Sequence, residues 1–79
     1  MNDTLSLEAT ASLLSGLFGI DRGRVVPGLA LNGIPEWDSI AHLNLMMCLE
    51  ANYGIEISEE TIMACATAQG IARTIGPRG

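Results

Sequence analysis

The sequence predicts an all-α fold, a small four-helix bundle with three main helices, one short helix and a long first loop. Three observations support this prediction. The apolar residues are mainly Leu, Ile, Ala and Met, with one Phe, one Trp and one Tyr, a mix that favours helices over strands. Apolar residues recur at helical spacing in several segments. Residues 19–37, in contrast, are punctuated by Gly and Pro, so no long helix runs through them.

The first helix is predicted from about Leu5 to Phe18. Its apolar residues recur at helical spacing and are Ala9, Leu13, Leu14, Leu17 and Phe18. Gly19 is the expected C-terminal cap.

The segment 19–37 is then expected to form a crossover to the second helix. Four of its residues are too apolar for a free linker and are expected to pin it to the core: Val25, Val26, Leu29 and Leu31. A loop of this length in so small a domain is usually functional.

The second helix is predicted from Ser39 to about Tyr53. Asp38 is its expected N-cap, because a carboxylate there accepts the free N–H groups of the first turn, and Gly54 ends it. At about 100° per residue this helix has two apolar faces. The expected core face holds Leu45, Met46, Leu49 and Tyr53. The opposite face, expected to be an exposed docking surface, holds Ile40, Met47 and Ala51, with Leu43 at its margin. The alternative is a central helix that is buried all round.

Two further helices follow. Ser58 is expected to begin a short helix that ends near Cys65, and Thr67 to cap a last helix that reaches about Ile75. Gly70 disfavours the first turn of that last helix. The residues expected to close it are Gly76 and Pro77. We therefore expect a single domain over residues 1–79, with a core of about residues 5–75.

Charge and composition exclude several function classes. Nine acidic residues face four basic ones, for a net charge of −5, which argues against nucleic acid as a partner and favours docking to basic patches on proteins. One His and two scattered Cys do not build a metal site, and Cys48 and Cys65 are expected to fill a core in a reducing compartment. With neither a signal peptide nor a membrane-spanning run, we expect a cytoplasmic, monomeric protein that binds no membrane.

A longer pattern surrounds Ser39. It consists of Trp37-Asp38-Ser39-Ile40, then Leu43, Leu45, Leu49, Glu50, Tyr53-Gly54-Ile55 and Ile57. This pattern resembles the phosphopantetheine-attachment region of acyl carrier proteins, in which Asp-Ser-Leu opens an apolar helix that ends in an acidic residue, an aromatic residue and a glycine turn. The resemblance covers about residues 5–75, nearly the whole chain.

The resemblance implies a specific role. A phosphopantetheinyl transferase would use coenzyme A and Mg²⁺ to esterify the Ser39 hydroxyl with 4′-phosphopantetheine, beside the helix cap Asp38. The thiol of the arm would carry acyl groups as thioesters between an acyl-loading ligase or acyltransferase and a ketosynthase or other acyl-processing enzymes. The carrier itself would not be an enzyme. The residues expected to dock partners are Ile40, Leu43, Met47, Glu50 and Trp37.

The sequence also departs from the family pattern. Carriers of fatty acid synthases usually have an acidic second helix, whereas here only Asp38 and Glu50 are acidic, which indicates a specialised carrier for polyketide, secondary-metabolite or related biosynthesis. Trp37 stands where many carriers have glycine, and is expected either to pack near His42 as a hydrophobic staple or to join the partner interface. His42 has no plausible catalytic partners and is interpreted as a surface residue.

The sequence is also compatible with two other functions. A carrier of aminoacyl or peptidyl groups has a similar architecture, but such carriers tend to have Gly-Gly-[His/Asp]-Ser at the site, whereas this chain has Trp37-Asp38-Ser39. A helical interaction module without a prosthetic group would account for the bundle and the exposed face, but not for the Asp-Ser pair beside that face. An enzyme is the weakest reading, since the sequence offers no catalytic constellation.

Overall fold

The computed structural model of the protein describes residues 3–76. In chain order they form α1 (Asp3–Phe18), a short 3₁₀ turn (Arg22–Arg24), α2 (Ser39–Tyr53), α3 (Glu59–Ala64) and α4 (Ala68–Ile75). Three main helices, one short helix and a long first loop are therefore confirmed. The described residues form a body of 30 × 27 × 18 Å. Of the two residues predicted to close the last helix, Gly76 is its C-cap and Pro77 lies outside the described residues.

The core is built mainly by α1, α2, α4 and the segments that connect the helices. Its buried members are Leu14, Ile20, Val25, Trp37, Leu45, Met46, Leu49, Ile55, Cys65, Ala68, Ile71 and Ile75. Within the bundle α1 packs mainly against α4. The short helix α3 buries no residue fully, and Ile62 is its partly buried contact with the core.

Each helix ends or begins where a local signal places it. Gly19 adopts the left-handed conformation that ends α1, with φ of +69°, and its N–H donates to the Ser15 carbonyl at 2.9 Å. Gly54 ends α2 in the same way, with φ of +68°. At the start of α3, Ser58 and Thr61 form a capping box, which satisfies two free N–H groups reciprocally.

Gly70 has a different role from the one predicted. It lies in the first turn of α4, where a Cβ atom would overlap the Ala64 carbonyl oxygen. The turn between α3 and α4 therefore requires glycine at this position. This requirement outweighs the low helix propensity of glycine. The N–H of Gly70 donates to the cap hydroxyl of Thr67 at 2.9 Å.

The long loop is pinned to the core by three of the four predicted residues. Val25 is buried, and Leu29 and Leu31 pack against the core partly exposed. Val26, however, is 51% exposed, so the prediction for that residue was wrong. The physical reason is the extended backbone at Val25, because successive side chains of extended backbone point to opposite sides.

Backbone hydrogen bonds join the same loop to the start of α4. The donor–acceptor pairs are Leu31 N to Ala66 O at 2.8 Å, Ala68 N to Leu29 O at 2.8 Å, and Gln69 N to Pro27 O at 3.1 Å. Two of these donors belong to the first turn of α4, whose N–H groups have no partner within the helix. The loop thus caps α4 from outside, and α4 in turn holds the loop.

The two faces of α2 divide as predicted. Leu45, Met46 and Leu49 are fully buried and Tyr53 packs against the core. On the other side Ile40, Leu43 and Met47 are more than half exposed; we call these three residues the α2 outer face. The alternative of a helix buried all round is wrong, since α2 lies at the edge of the bundle.

Candidate functional site

Ser39 is the first residue of α2, and its side chain is exposed. The residue before it, Asp38, is the N-cap, and its Oδ1 accepts the N–H of Ala41 at 2.9 Å. This confirms Asp38 as the cap of the helix. A phosphoester on Ser39 would lie at the positive end of the helix dipole, beside the N–H groups of the first turn.

The backbone before Ser39 is fixed by a tight sequence of turns. The N–H of Asn32 donates to the Trp37 carbonyl at 2.7 Å, and the N–H of Trp37 donates to the Ile34 carbonyl at 3.1 Å. Asn32 has φ of +68°, a conformation that asparagine tolerates better than most residues. At Gly33 a Cβ atom would lie 2.8 Å from the Ala30 carbonyl oxygen. Ser39 is therefore presented from an ordered backbone on both sides.

Trp37 is part of the core. Its side chain is 0% exposed, and its ring packs on Phe18 with the centroids 5.5 Å apart and the planes at 42°. The prediction that Trp37 docks partners was therefore wrong, and the packing alternative is the one observed. The physical reason is the large apolar surface of the indole, which the loop turns inward between α1 and α2.

His42 is buried as well, at 5% exposure, and the interpretation of this residue as a surface residue was wrong. Its Nδ1 lies 3.0 Å from Trp37 Nε1, and its Nε2 lies 3.0 Å from the Ile62 carbonyl oxygen of α3. A signal for its burial was present in the sequence, because His42 precedes Leu45 by three residues and Met46 by four, which extends the core face of α2 by one turn.

The two hydrogen bonds of His42 show which ring nitrogen carries the proton. An indole nitrogen donates and never accepts, so Nδ1 of His42 is the acceptor and the proton lies on Nε2. Nε2–H then donates to the Ile62 carbonyl. Both ring nitrogens are thus used in holding Trp37, α2 and α3 together, and neither is directed at the Ser39 hydroxyl as a base.

The α2 outer face begins one residue after Ser39. Ile40 is 72% exposed, Leu43 57% and Met47 54%, and Glu50 is exposed one turn further along. On α3, Met63 is 76% exposed, a residue that the sequence reasoning did not select. Its neighbour Ile62 packs against the core, and Met63 points away from the core because adjacent residues of a helix point about 100° apart.

The two cysteines occupy different environments. Cys65 is fully buried, and burial raises the pKa of its thiol above the ordinary value of 9.0, while a hydrogen bond with Thr74 lowers it in part. Cys48 is partly exposed, and Asn52 Nδ2 donates to its Sγ at 3.2 Å. The expectation that both cysteines fill the core therefore holds for Cys65 alone.

Other kinds of site find no support among residues 3–76. No group of three His, Cys, Asp or Glu side chains in this part of the chain is arranged to hold a metal ion, and none of its helices has the length and apolarity needed to cross a membrane. A surface groove of about 410 Å³ lies between the end of α3 and α4, and its lining includes Ala64, Gly70 and Arg73.

A comparison with protein families gives a match over the second half of the chain. The family described as "Phosphopantetheine attachment site" matches residues 36–75, just over half of the 79-residue chain. The matched segment begins three residues before Ser39 and includes all of α2, α3 and α4. No curated protein matches the chain.

Proposed function

The chain belongs to the phosphopantetheine-attachment family, and we propose that within it the chain is an acyl carrier protein whose 4′-phosphopantetheine arm is esterified to Ser39. We extend this proposal to residues 1–79 as a single carrier domain. The observation that carries it is the exposed residue Ser39 at the first position of α2, directly after the cap Asp38. The family's prosthetic group needs a hydroxyl and a place for its phosphate, and the start of a helix provides both.

The role of this chain in the reaction is to present the Ser39 hydroxyl to the transferase. The Ser39 oxygen would form a new bond to phosphorus and lose its proton, while the phosphoanhydride bond of coenzyme A breaks and adenosine 3′,5′-bisphosphate leaves. The transferase would supply the base and the Mg²⁺, so Ser39 needs no activating neighbour. Consistent with this role, His42 has both ring nitrogens engaged elsewhere, and the carrier is proposed to be non-catalytic.

Partners are proposed to bind the α2 outer face together with Glu50. This surface adjoins Ser39, so an enzyme that docks there has the arm within reach. The exposed apolar side chains of Ile40, Leu43 and Met47 would be covered on docking, and burial of apolar area favours association. The partners are the transferase, an acyl-loading ligase or acyltransferase, and a ketosynthase or other acyl-processing enzyme.

A specialised pathway, such as polyketide or secondary-metabolite biosynthesis in the cytoplasm, is the proposed setting. The support is the composition of α2, in which Glu50 is the one charged residue. A partner that recognised this helix mainly through its charge would find little to bind.

Acyl rather than aminoacyl cargo is proposed from the Trp37-Asp38-Ser39 sequence. Loading assays with an acyl ligase and an aminoacyl ligase would separate the two kinds of cargo.

The experiment that tests the proposal is the intact mass after incubation with coenzyme A, Mg²⁺ and a promiscuous phosphopantetheinyl transferase. We expect a gain of one phosphopantetheine in the wild type and none in Ser39→Ala. Ser12→Ala is the matched control, because Ser12 is an exposed serine of α1, and it should be modified as the wild type is. No gain in a folded, previously unmodified wild type, with the transferase active on another carrier, would favour the interaction module instead.

A further inference from the structure

The interior of the bundle next to Ser39 is closed by two side chains. Trp37 precedes Ser39 by two residues and His42 follows it by three, and both are buried. His42 bonds to the Ile62 carbonyl of α3, and Trp37 packs behind His42, against Phe18 of α1. We call the group formed by Trp37, His42 and the Ile62 carbonyl the α2–α3 seam. The seam is the part of the bundle interior nearest to Ser39 along the chain.

Polar and packing interactions both hold the seam shut. Trp37 donates to His42, and His42 donates to Ile62 of α3, each at 3.0 Å. The indole also packs on Phe18 of α1 and stacks at a tilt on the imidazole, with centroids 6.0 Å apart. The side chains of Trp37 and His42 therefore connect three helices at one point.

Opening the seam has an energetic cost. An acyl chain on a flexible arm at Ser39 would lower its free energy by moving from water into an apolar interior. To enter at the seam it would have to displace the indole or break the hydrogen bonds of His42. Either change leaves buried donors and acceptors without partners, which is more costly than the loss of an exposed hydrogen bond.

Two cavities among residues 3–76 have linings that do not include Ser39. The groove of about 410 Å³ lies between α3 and α4. A smaller cavity of about 90 Å³ is lined by Leu7 of α1, Pro27 of the loop and three residues of α4. The linings of both include the charged side chain of Arg73, and neither includes Trp37, His42 or Ile62.

We infer that the acyl cargo of this carrier stays outside the helical bundle, and that Trp37 and His42 are the residues that exclude it. This inference rests on the proposed function, because it concerns cargo carried on the Ser39 arm. Its consequence for the substrate is that acyl chain length does not affect the stability of the carrier. Long apolar cargo gains no shelter from this protein, so the carrier suits short or polar acyl groups.

The test compares acyl chains of increasing length on the wild-type protein. Acetyl, hexanoyl and decanoyl arms are loaded from the corresponding coenzyme A thioesters, and intact mass confirms each product. A failure at this step shows in the mass and overturns the proposed function, and with it the inference. For loaded protein we expect the same Tm, the same Trp37 fluorescence and the same rate of thioester cleavage by hydroxylamine at all three lengths.

The opposite pattern would overturn the inference. A Tm that rises with chain length, together with slower cleavage of the longest thioester and a change in Trp37 fluorescence, would place the cargo inside. Trp37 is the one tryptophan of the chain and lies in the seam, so its emission reports directly on an inserted alkyl chain.

A variant of His42 tests whether this residue excludes the acyl chain. His42→Ala removes the link to Ile62 and leaves space beside Ser39, so in this variant we expect Tm to rise and thioester cleavage to slow with chain length. Asn44→Ala, at an exposed position of α2, is the control and should behave as the wild type. A folded His42→Ala protein without chain-length dependence would contradict the role of His42. If the variant does not fold, the wild-type series decides.

Discussion

At the scale of single residues, the burial of His42 was not predicted from the sequence, and the sequence left Trp37 open between packing near His42 and docking partners. Asp38 was predictable as a cap because capping depends on neighbours within one turn. The burial of a histidine depends on an acceptor that the sequence places twenty residues away, the carbonyl of Ile62. With that acceptor and the indole of Trp37 in place, the neutral imidazole keeps both its hydrogen bonds and can be buried at low cost.

The two cysteines give a prediction at the same scale. Cys48 is partly exposed and Cys65 is fully buried, so iodoacetamide should modify Cys48 in the native protein and Cys65 only after unfolding. Peptide mapping of the native, alkylated protein measures this directly. Rapid native alkylation of Cys65 would contradict the burial described for it.

The buried thiol of Cys65 should make the free energy of unfolding depend on pH. Burial raises its pKa in the folded state above 9.0, so above that pH the unfolded chain loses this proton first. Stability is unaffected by Cys65 below about pH 9 and falls as the pH rises further, toward the raised folded pKa. Urea unfolding from about pH 8 to about pH 10 should show a steeper loss of stability for the wild type than for Cys65→Ala. Equal slopes for the two proteins would refute this assignment.

At the scale of the helices, the boundaries follow local signals and were largely predictable from the sequence. Gly19, Gly54, Ser58 and Thr67 each act within one turn of the chain. The division of α2 into a core face and an outer face was predictable too, because it follows from helical periodicity. Gly70 was misjudged, since the carbonyl that excludes its Cβ belongs to Ala64 in the preceding helix.

The two helical glycines Gly16 and Gly70 form a matched pair for a stability test. Gly16 lies exposed within α1 and has open space where a Cβ would be, so Gly16→Ala should stabilise the fold by about 0.5–1 kcal/mol. Gly70→Ala should destabilise it by about 1–3 kcal/mol or more, because the turn must shift away from Ala64. Urea unfolding of both variants checks the two signs, and a Gly70→Ala protein of wild-type stability would contradict the close approach.

The α2 outer face provides the prediction about partners. Ile40→Asp combined with Met47→Asp should leave Tm nearly unchanged, since both side chains are more than half exposed and surface substitutions usually change stability by about 0.5 kcal/mol or less. Turnover by partner enzymes should fall, because two charges would have to be desolvated on docking.

A control that places one new aspartate away from α2 at constant net charge is Ser12→Asp combined with Glu8→Gln on the exposed side of α1, and it should leave both Tm and turnover unchanged. Marked unfolding of the α2 double variant would show that the outer face belongs to the core. Unchanged turnover in a folded double variant would show that partners bind elsewhere.

At the scale of the whole molecule, the long loop acts as a fifth packing element. Val25, Leu29 and Leu31 pack on the core, and backbone hydrogen bonds tie the loop to α4. An exposed ion pair between Arg24 and Glu36, 3.4 Å apart, adds little to its stability. The sequence predicted that this loop is anchored, but not to α4, because backbone pairing between distant segments leaves no side-chain pattern.

Substitutions of the neighbours Val25 and Val26 would show whether the buried side chain of Val25 anchors the loop to the core. Val25→Ala should destabilise the protein by about 1.5–2.5 kcal/mol, from the loss of buried apolar surface and the cavity left behind. Val26→Ala, the matched control at the exposed neighbour, should change stability by about 0.5 kcal/mol or less. Chemical denaturation of the two variants measures the difference. Equal effects would mean that the loop is not anchored through Val25.

The pairing of the loop with α4 has a consequence for how the chain folds. Ala30 and Thr67 face each other as an isolated bridge, so nearly half of the chain must be enclosed before this contact forms. Most contacts of a helical protein are local and form quickly, whereas contacts between distant residues slow folding because loop closure must come first. The backbone that presents Ser39 lies inside this enclosed stretch. A chain emerging from the ribosome therefore completes the surroundings of Ser39 only after the first turn of α4 has been synthesised.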